Sequence, residues 1–549
     1  MVKANLFSKL ITLLLVFSMF IPAFVSCGGD KNKDNDPEKK EEDLYDISGF
    51  TIIREDASGK VITHKTQKLR KTILSVTGTD LSVVSDWVKP GTAIDENGKE
   101  ILIGETNRKA SADALAKLKA DRDNEAYIID ITENKIVIVG TTDYATARAI
   151  EDFISMYVEK SSKGTKIDIS AGELIMTDYD SSNTIFASNF VGFSTIVSST
   201  VKEAPQNTWG TGIGYPTIIE LQHSGENNGK IIASFSIADS GKRGKPTSFR
   251  IMESVDGGET WKQIGEAVET IDRSIEACWN PHLFELPEQV GDMPKGTLLL
   301  AGCSIDPGQK IKSHIAIWKS LDCGKTWKEF TVVTAGGGLG EGVWEPYLYY
   351  EDGYLYCFYS DDSLPEYDQT VSYKRSKDGK TWEDIVHVVA GDKFAYRPGM
   401  GIFTKMGNGQ YFIVYEIFGE WSGCPIHYKI TDDITDWNPS DLGTRLTAGS
   451  YTMGSAPWCA WTPVGGECGT LIVTSKYGSA TPNKILVSFD YGKTFEAIDN
   501  PLPYSGKESL GYSASLFFSA DGTTLFYGNN VDGKGEKSKI AFAKIKIYE

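Results

Sequence analysis

The chain is expected to be an all-β six-bladed β-propeller preceded by a small α/β sandwich. Three observations predict this: a turn motif returning at a constant interval, a C-terminal stretch long enough for six repeats of that interval, and a strand–helix alternation confined to the N-terminal third. The motif occurs as Ser254-Val-Asp256-Gly-Gly258-Glu-Thr260-Trp261, Ser320-Leu-Asp322-Cys-Gly324-Lys-Thr326-Trp327, Ser376-Lys-Asp378-Gly379-Lys-Thr381-Trp382 and Ser488-Phe-Asp490-Tyr-Gly492-Lys-Thr494-Phe495. Its first serines stand 66, 56 and 112 residues apart, and a worn copy, Thr431-Asp-Asp433-Ile-Thr-Asp-Trp437, falls inside the double interval. A period of this size with hairpin chemistry at its centre is that of a radial array of small sheets. The Asp carboxylate accepts turn N–H groups, the Gly takes a positive φ, and the aromatic ring closes the hairpin on its neighbour.

From the N-terminus, Lys3 and Lys9 precede an apolar run, Leu10 to Val25, that is too short for a stable span and reads as an export signal. Cys27, followed by Gly28-Gly29-Asp30, resembles a bacterial lipobox. Residues 1–27 are thus expected to be a lipoprotein signal with Cys27 as the lipidated residue, and 28–46 a charged, flexible tether. Acidic residues directly after the cysteine resemble surface-export signals of Bacteroidota lipoproteins, which implies the outer membrane and the cell surface, reached through the lipid alone.

Residues 47–180 alternate strands and helices. Ile101–Gly104 reads as a buried strand, 110–120 as a helix, Ala126–Asp130 and Lys135–Val139 as paired strands, and 144–159 as a helix with apolar Ala147, Ile150, Phe153, Ile154 and Tyr157 on one face. This unit resembles the accessory domain that precedes hexosaminidase and α-glucuronidase catalytic domains, which implies a packing role without chemistry. Residues 185–549 form the expected propeller.

The formal charge of −18 excludes nucleic acid as a partner. No His or Cys spacing matches a metal site, so no metal and no cofactor are expected. Of the cysteines beyond Cys27, Cys278, Cys303 and Cys357 sit in apolar runs as small hydrophobes, while Cys459 and Cys468 flank a Gly-rich turn and are able to pair. A monomer is expected.

Two carboxylates stand out because they lie in bulky apolar runs: Glu345 in Val343-Trp344-Glu345-Pro346-Tyr347 and Glu416 in Val414-Tyr415-Glu416-Ile417-Phe418. Such groups are costly unless paired or facing a wet funnel. The four turns resemble the Asp-box of sialidases and related propellers. Together with Phe358-Tyr-Ser-Asp361, Arg397-Pro-Gly-Met400, Gly454-Ser-Ala-Pro457-Trp458 and Gly511-Tyr512-Ser513, the two Glu segments resemble glycoside hydrolase family 93, exo-acting arabinanases on a six-bladed sialidase-type propeller. That resemblance implies a retaining exo-glycosidase acting on α-1,5-L-arabinan, with Glu345 as nucleophile and Glu416 as general acid/base. Tyr512 is expected to orient Glu345, with Asp361 and Arg397 as sugar binders and Trp344 and Trp458 as stacking platforms. Arg397 is further expected to keep Glu345 ionised.

Two other readings stand beside this one. An exo-α-sialidase or other ulosonic-acid hydrolase would use Tyr512 with Glu416, but the three arginines that clamp a substrate carboxylate are missing. The first position reads Gly214-Tyr215-Pro216, Lys484 occupies another, and no arginine follows Glu416 before Arg445. A non-catalytic glycan-binding surface lipoprotein would have no need of paired acids.

Overall fold

The computed structural model describes residues 45–162, 164–204, 213–237, 248–270, 277–305, 313–337, 341–391, 395–420, 424–480, 482–505, 508–533 and 537–548. Cys27 and the expected signal and tether, apart from the tether's last two residues, lie outside them. The described part is nearly all β, with α-helices confined to its N-terminal unit.

That unit is a six-stranded sheet in the order Ser82–Ser85, Thr51–Arg54, Glu100–Ile103, Lys135–Gly140, Ala126–Ile131, Leu174–Asp178. The first four strands are parallel and the last two join antiparallel. Helices α1 (Lys60–Thr77) and α3 (Asp143–Phe153) cover one face, and α2 (Lys109–Asp121) the other. α3 starts where Thr142 Oγ1 accepts the N–H of Ala145, an N-cap. The helix expected over 144–159 becomes wider-wound after Phe153, with a π turn over Ile154–Val158. α1 went unread in the sequence because its apolar positions are diluted by Lys65, Lys68, Lys71 and four threonines.

Six sheets follow. Sheets one to four are Ile213–Glu220 through Lys262–Val268, Ala277–Glu285 through Lys328–Gly336, Val343–Glu351 through Val386–Ala390, and Arg397–Lys405 through Thr444–Arg445, each an antiparallel four-stranded meander. Sheet five runs from Trp458–Thr462 to Glu496–Ile498. Sheet six joins three C-terminal strands, Glu508–Phe518, Thr524–Gly533 and Ser538–Tyr548, to Gly192–Ala204 and Thr184–Phe186 from the other end of the chain. The first strand of each sheet packs against the first strand of the next, and that of sheet six against that of sheet one.

The four motif turns are built alike. Each serine hydroxyl accepts the N–H of the turn Gly (Gly258, Gly324, Gly379, Gly492) at 2.8–2.9 Å. Each Asp accepts the N–H of Thr260, Thr326, Thr381 or Thr494 at 2.7–3.0 Å. The glycines have φ of +98°, +90°, +72° and +80°, the left-handed region closed to most side chains. The closing ring packs on the preceding sheet. Trp261 of sheet one meets Phe542 of sheet six edge-on at 5.2 Å, and Phe495 of sheet five meets Tyr428 of sheet four at 5.7 Å. All seven described cysteines, Cys459 and Cys468 included, are free thiols. No helix among the described residues is long and apolar enough to cross a membrane.

Sheet six touches the N-terminal unit through an aromatic seam. Tyr144 of α3 stacks on Phe186 at 4.2 Å, and the hydroxyls of Tyr179 and Tyr548 lie 3.2 Å apart.

Candidate active site

One backbone event recurs near the start of the first strands. Tyr215, Asn280, Glu345, Met400, Ala456 and Ser513 have φ of +50°, +54°, +58°, +56°, +49° and +61°. In five sheets a register shift marks the place, between Gly214 and Thr217, Trp279 and His282, Trp344 and Tyr347, Gly399 and Ile402, and Leu510 and Ala514. In sheet five the same break separates Tyr451–Gly454 from Trp458–Thr462. Each is a β-bulge, an extra residue that bends the strand and re-aims a side chain. Four are followed by proline (Pro216, Pro281, Pro346, Pro457), which loses nothing by lacking an N–H where the ladder is interrupted. A non-glycine residue held at positive φ costs of order 1–3 kcal/mol.

The bulges gather the titratable groups. The Oε2 of Glu345 accepts the hydroxyl of Ser360 at 2.6 Å and the N–H of Met400, the next bulge residue, at 3.2 Å. Its own N–H donates to the Cys303 sulfur at 3.2 Å. Glu416, on the second strand of sheet four opposite Gly399, accepts the N–H of Ala456 at 2.7 Å. Burial pushes Glu345 up to about 7; Ser360 and Met400 work against this, and the charge of Glu416 adds to it. Glu416 is also raised by burial, tempered by Ala456, Ser455 and the charge of Lys476. Tyr215 lies within the field of Glu345, Tyr512 and Glu416, which with burial holds its phenol well above the ordinary value. The rings of Tyr215 and Tyr512 stack at 5.8 Å, and Lys476 Nζ sits 3.2 Å from the Tyr512 ring centre.

The structure thus brings Glu345, Glu416 and Tyr512 together but arranges their neighbours differently from expectation. Tyr512 stacks on Tyr215, and Glu345 takes its hydrogen bonds from Ser360 and Met400. Asp361 is turned away, its carboxylate accepting the N–H and hydroxyl of Ser363, because side chains alternate along its strand and Ser360 takes the inward place. Arg397 pairs with Asp362 at 3.1 Å and Gln369 at 2.8 Å, so the expected service to Glu345 goes to Asp362. Trp344 is tied into the same group, its Nε1 donating to Asp362 at 3.0 Å.

Trp458 belongs to a second layer. Two residues after each bulge come Thr217, His282, Tyr347, Ile402, Trp458 and Ser515. Trp458 is buried against His282 and Tyr347, with ring centres 5.9 and 5.8 Å away. In this layer Ser515 Oγ accepts the N–H of Ile218, Thr217 Oγ1 that of Leu283, and His282 Nδ1 that of Leu348. Each such bond joins adjacent sheets. Burial holds His282 down at about 3, so its ring is neutral and Nδ1 is free to accept. Trp458 is therefore floor, and among the described residues of the propeller the exposed rings are Trp279, Phe418, Tyr477 and Tyr512, each beside a site residue in sequence or in space. Lys476, Ser360, Tyr215 and Asn280 were missed. The signal for the last two was present as an X-Pro pair in the first strand of each early sheet.

No protein-family model and no curated protein sequence matches the chain. Among solved structures it is similar to the α-L-arabinanase of Penicillium chrysogenum complexed with arabinobiose, at 29% identity and a TM-score of 0.56, covering 64% of this chain and 98% of that one. The α-L-arabinofuranosidase of Fusarium graminearum with an iminosugar inhibitor matches at 26% identity and a TM-score of 0.56, over 64% and 98% of the two chains. A complex of the family 93 α-L-arabinofuranosidase of Fusarium graminearum with arabinobiose matches at 25% and 0.55, over the same shares. The fold is that of these propeller glycoside hydrolases.

Proposed function

We propose that the chain is a retaining exo-glycosidase of glycoside hydrolase family 93, a six-bladed propeller that releases short oligosaccharides from the non-reducing end of α-1,5-L-arabinan. The observation that carries this is the meeting of Glu345 and Glu416, two half-buried carboxyls from adjacent sheets tied to adjacent bulges, in a fold shared with enzymes crystallised with arabinobiose. In the reaction, Glu345 attacks the anomeric carbon while Glu416 gives its proton to the departing glycosidic oxygen. Glu416 then takes a proton from water, which displaces Glu345 from the sugar. The two hydrogen bonds to Oε2 orient Glu345 for attack. In the resting protein burial weighs heavily on Glu345, so attack requires that it give up its proton; ionised Glu345 in turn favours the protonated form of Glu416. The floor under the pair favours a chain end over a threaded polymer. Trp279, Tyr477 and Tyr512 offer the exposed faces for sugar rings.

The N-terminal unit is proposed to brace sheet six as an accessory domain, and Cys27 to anchor a monomer to the outer membrane. Cys27→Ala should move the protein from the membrane fraction to the soluble one.

The test is a product screen of arabinan, arabinogalactan and sialyl-lactose with the anomer followed by NMR. Arabino-oligosaccharides released with retention are expected, and sialyl-lactose should be left intact. Azide should rescue Glu345→Ala to an inverted glycosyl azide and Glu416→Ala to a retained one; the opposite pairing would exchange the two roles. Sialic acid release abolished by Tyr512→Phe would replace this reading with the sialidase one.

A further inference from the structure

We propose that Glu269, His314 and Glu329 form a binding site for a divalent transition-metal ion, zinc the best fit, that clasps sheet one to sheet two. Glu269 follows the last strand of sheet one, while His314 and Glu329 lie on the third and fourth strands of sheet two. One ligand atom from each lies within 4.8 Å of the other two. Glu269 and His314 are buried, His314 only 8% exposed. Its Nε2 is out of contact with solvent and has no hydrogen-bond partner among the described residues.

The spacing of one pair suits a shared cation better than a hydrogen bond. His314 Nε2 stands 3.4 Å from Glu269 Oε2. A charge-assisted N–H···O bond closes to about 2.7–2.9 Å. Two ligands on a tetrahedral ion with arms of about 2.0–2.1 Å lie about 3.4 Å apart.

The surroundings orient the ligands as outer partners do in metal sites. The Ser304 hydroxyl donates to Glu269, and the N–H of Thr270 donates to Glu329 Oε2 at 2.7 Å. Two carboxylates brought side by side repel, and a divalent cation between them removes that repulsion. One imidazole nitrogen with two carboxylates suits zinc, and supplies too few oxygens for the six to eight that calcium takes.

The clasp reaches the catalytic layer through one strand. Ser304, which holds Glu269, is next to Cys303, which holds the N–H of Glu345. The site is independent of the sugar chemistry, so its failure would leave the proposed function standing.

The full-length protein, freed of tags and dialysed against chelator, is incubated with ZnCl2 or MnCl2, desalted, and assayed by elemental mass spectrometry and thermal melting. About one tightly held zinc per chain is expected, with a rise in Tm of about 3–5 °C. Glu329→Gln and His314→Gln, checked for fold by circular dichroism, should lose both the ion and the shift. If His314→Gln does not fold, Glu329→Gln and the wild-type titration decide. Wild-type protein that retains neither ion and melts unchanged overturns the site, as does a Glu329→Gln protein that binds zinc like wild type.

Discussion

The chain carries two sets of repeats, one at each end of its strands, and they are built on opposite rules. The Asp-box turns reuse the same residues: Ser, Asp, Gly, Thr and an aromatic ring, in four sheets. The bulges near the starts of the first strands reuse the same backbone with a different side chain each time: Tyr215, Asn280, Glu345, Met400, Ala456 and Ser513. Where the task is to close a hairpin, chemistry and geometry repeat together. Where the task is to line a site, the geometry repeats and the chemistry is free to vary. A bulge presents its residue whatever that residue is, so one position in six can hold a carboxylate and another nothing larger than a methyl group.

Four measurements would break or sharpen this contrast. The largest effect belongs to the bulge layer: Glu345→Gln and Glu416→Gln should keep their fold and lose about 10²–10⁴-fold in kcat/KM. Near-wild-type turnover in either would remove the chemistry from that layer. Next is the floor beneath it. Trp458→Ala should cost about 3–5 kcal/mol of stability through the cavity it leaves. A protein that melts normally but has lost sugar affinity would return Trp458 to the site.

The third concerns Glu345 itself, where activity and stability should move in opposite directions. Its carboxyl titrates near 7 in the fold against an ordinary 4.5. Below the lower value the folded and unfolded states are both protonated and nothing is lost. Between the two, the unfolded state ionises first and stability falls as pH rises; above 7 the loss is complete, about 3 kcal/mol. Glu345→Gln should therefore melt above wild type at pH 8 and level with it at pH 4, and equal melting at pH 8 would show that the group is not strained by burial. The smallest effect is at the other end. Asp490→Ala removes acceptors for the N–H groups of Lys493 and Thr494 and should cost about 1–2 kcal/mol without changing KM.

The same contrast explains what was legible in the sequence. The Asp-boxes were readable because each is a run of adjacent residues whose identities carry the turn. Glu345 and Glu416 were readable because a carboxylate between bulky apolar neighbours is out of place. Asp361 and Trp458 were misread for two reasons: on an unbroken strand the inward place falls to Ser360 and not to its neighbour Asp361, and Trp458 follows a bulge, which shifts the residues after it down a layer. Ser360 rather than Asp361 meets Glu345, and Trp458 falls one layer below. Arg397, expected beside Glu345, pairs instead with Asp362 and Gln369, partners 35 and 28 residues away that no local spacing announces. The Glu269, His314 and Glu329 cluster was beyond reach, since no local spacing announces three ligands drawn from two sheets.

The strand Gly192–Ala204 lies along Ser538–Tyr548 for almost its whole length, from Gly192 opposite Tyr548 to Ala204 opposite Ser538. The first long strand of the propeller to leave the ribosome must thus wait for the last. Until then sheet six lacks an edge, and the stacked pair Tyr215 and Tyr512 belongs to two ends of an open chain. Synthesis alone cannot deliver a working catalyst sheet by sheet. Closure of a loop more than 300 residues long is a late, slow event for which the entropy is lost before any contact rewards it. The N-terminal unit sits at that seam, with Tyr179 against Tyr548 and Tyr144 on Phe186, as a platform already folded when the returning strand arrives.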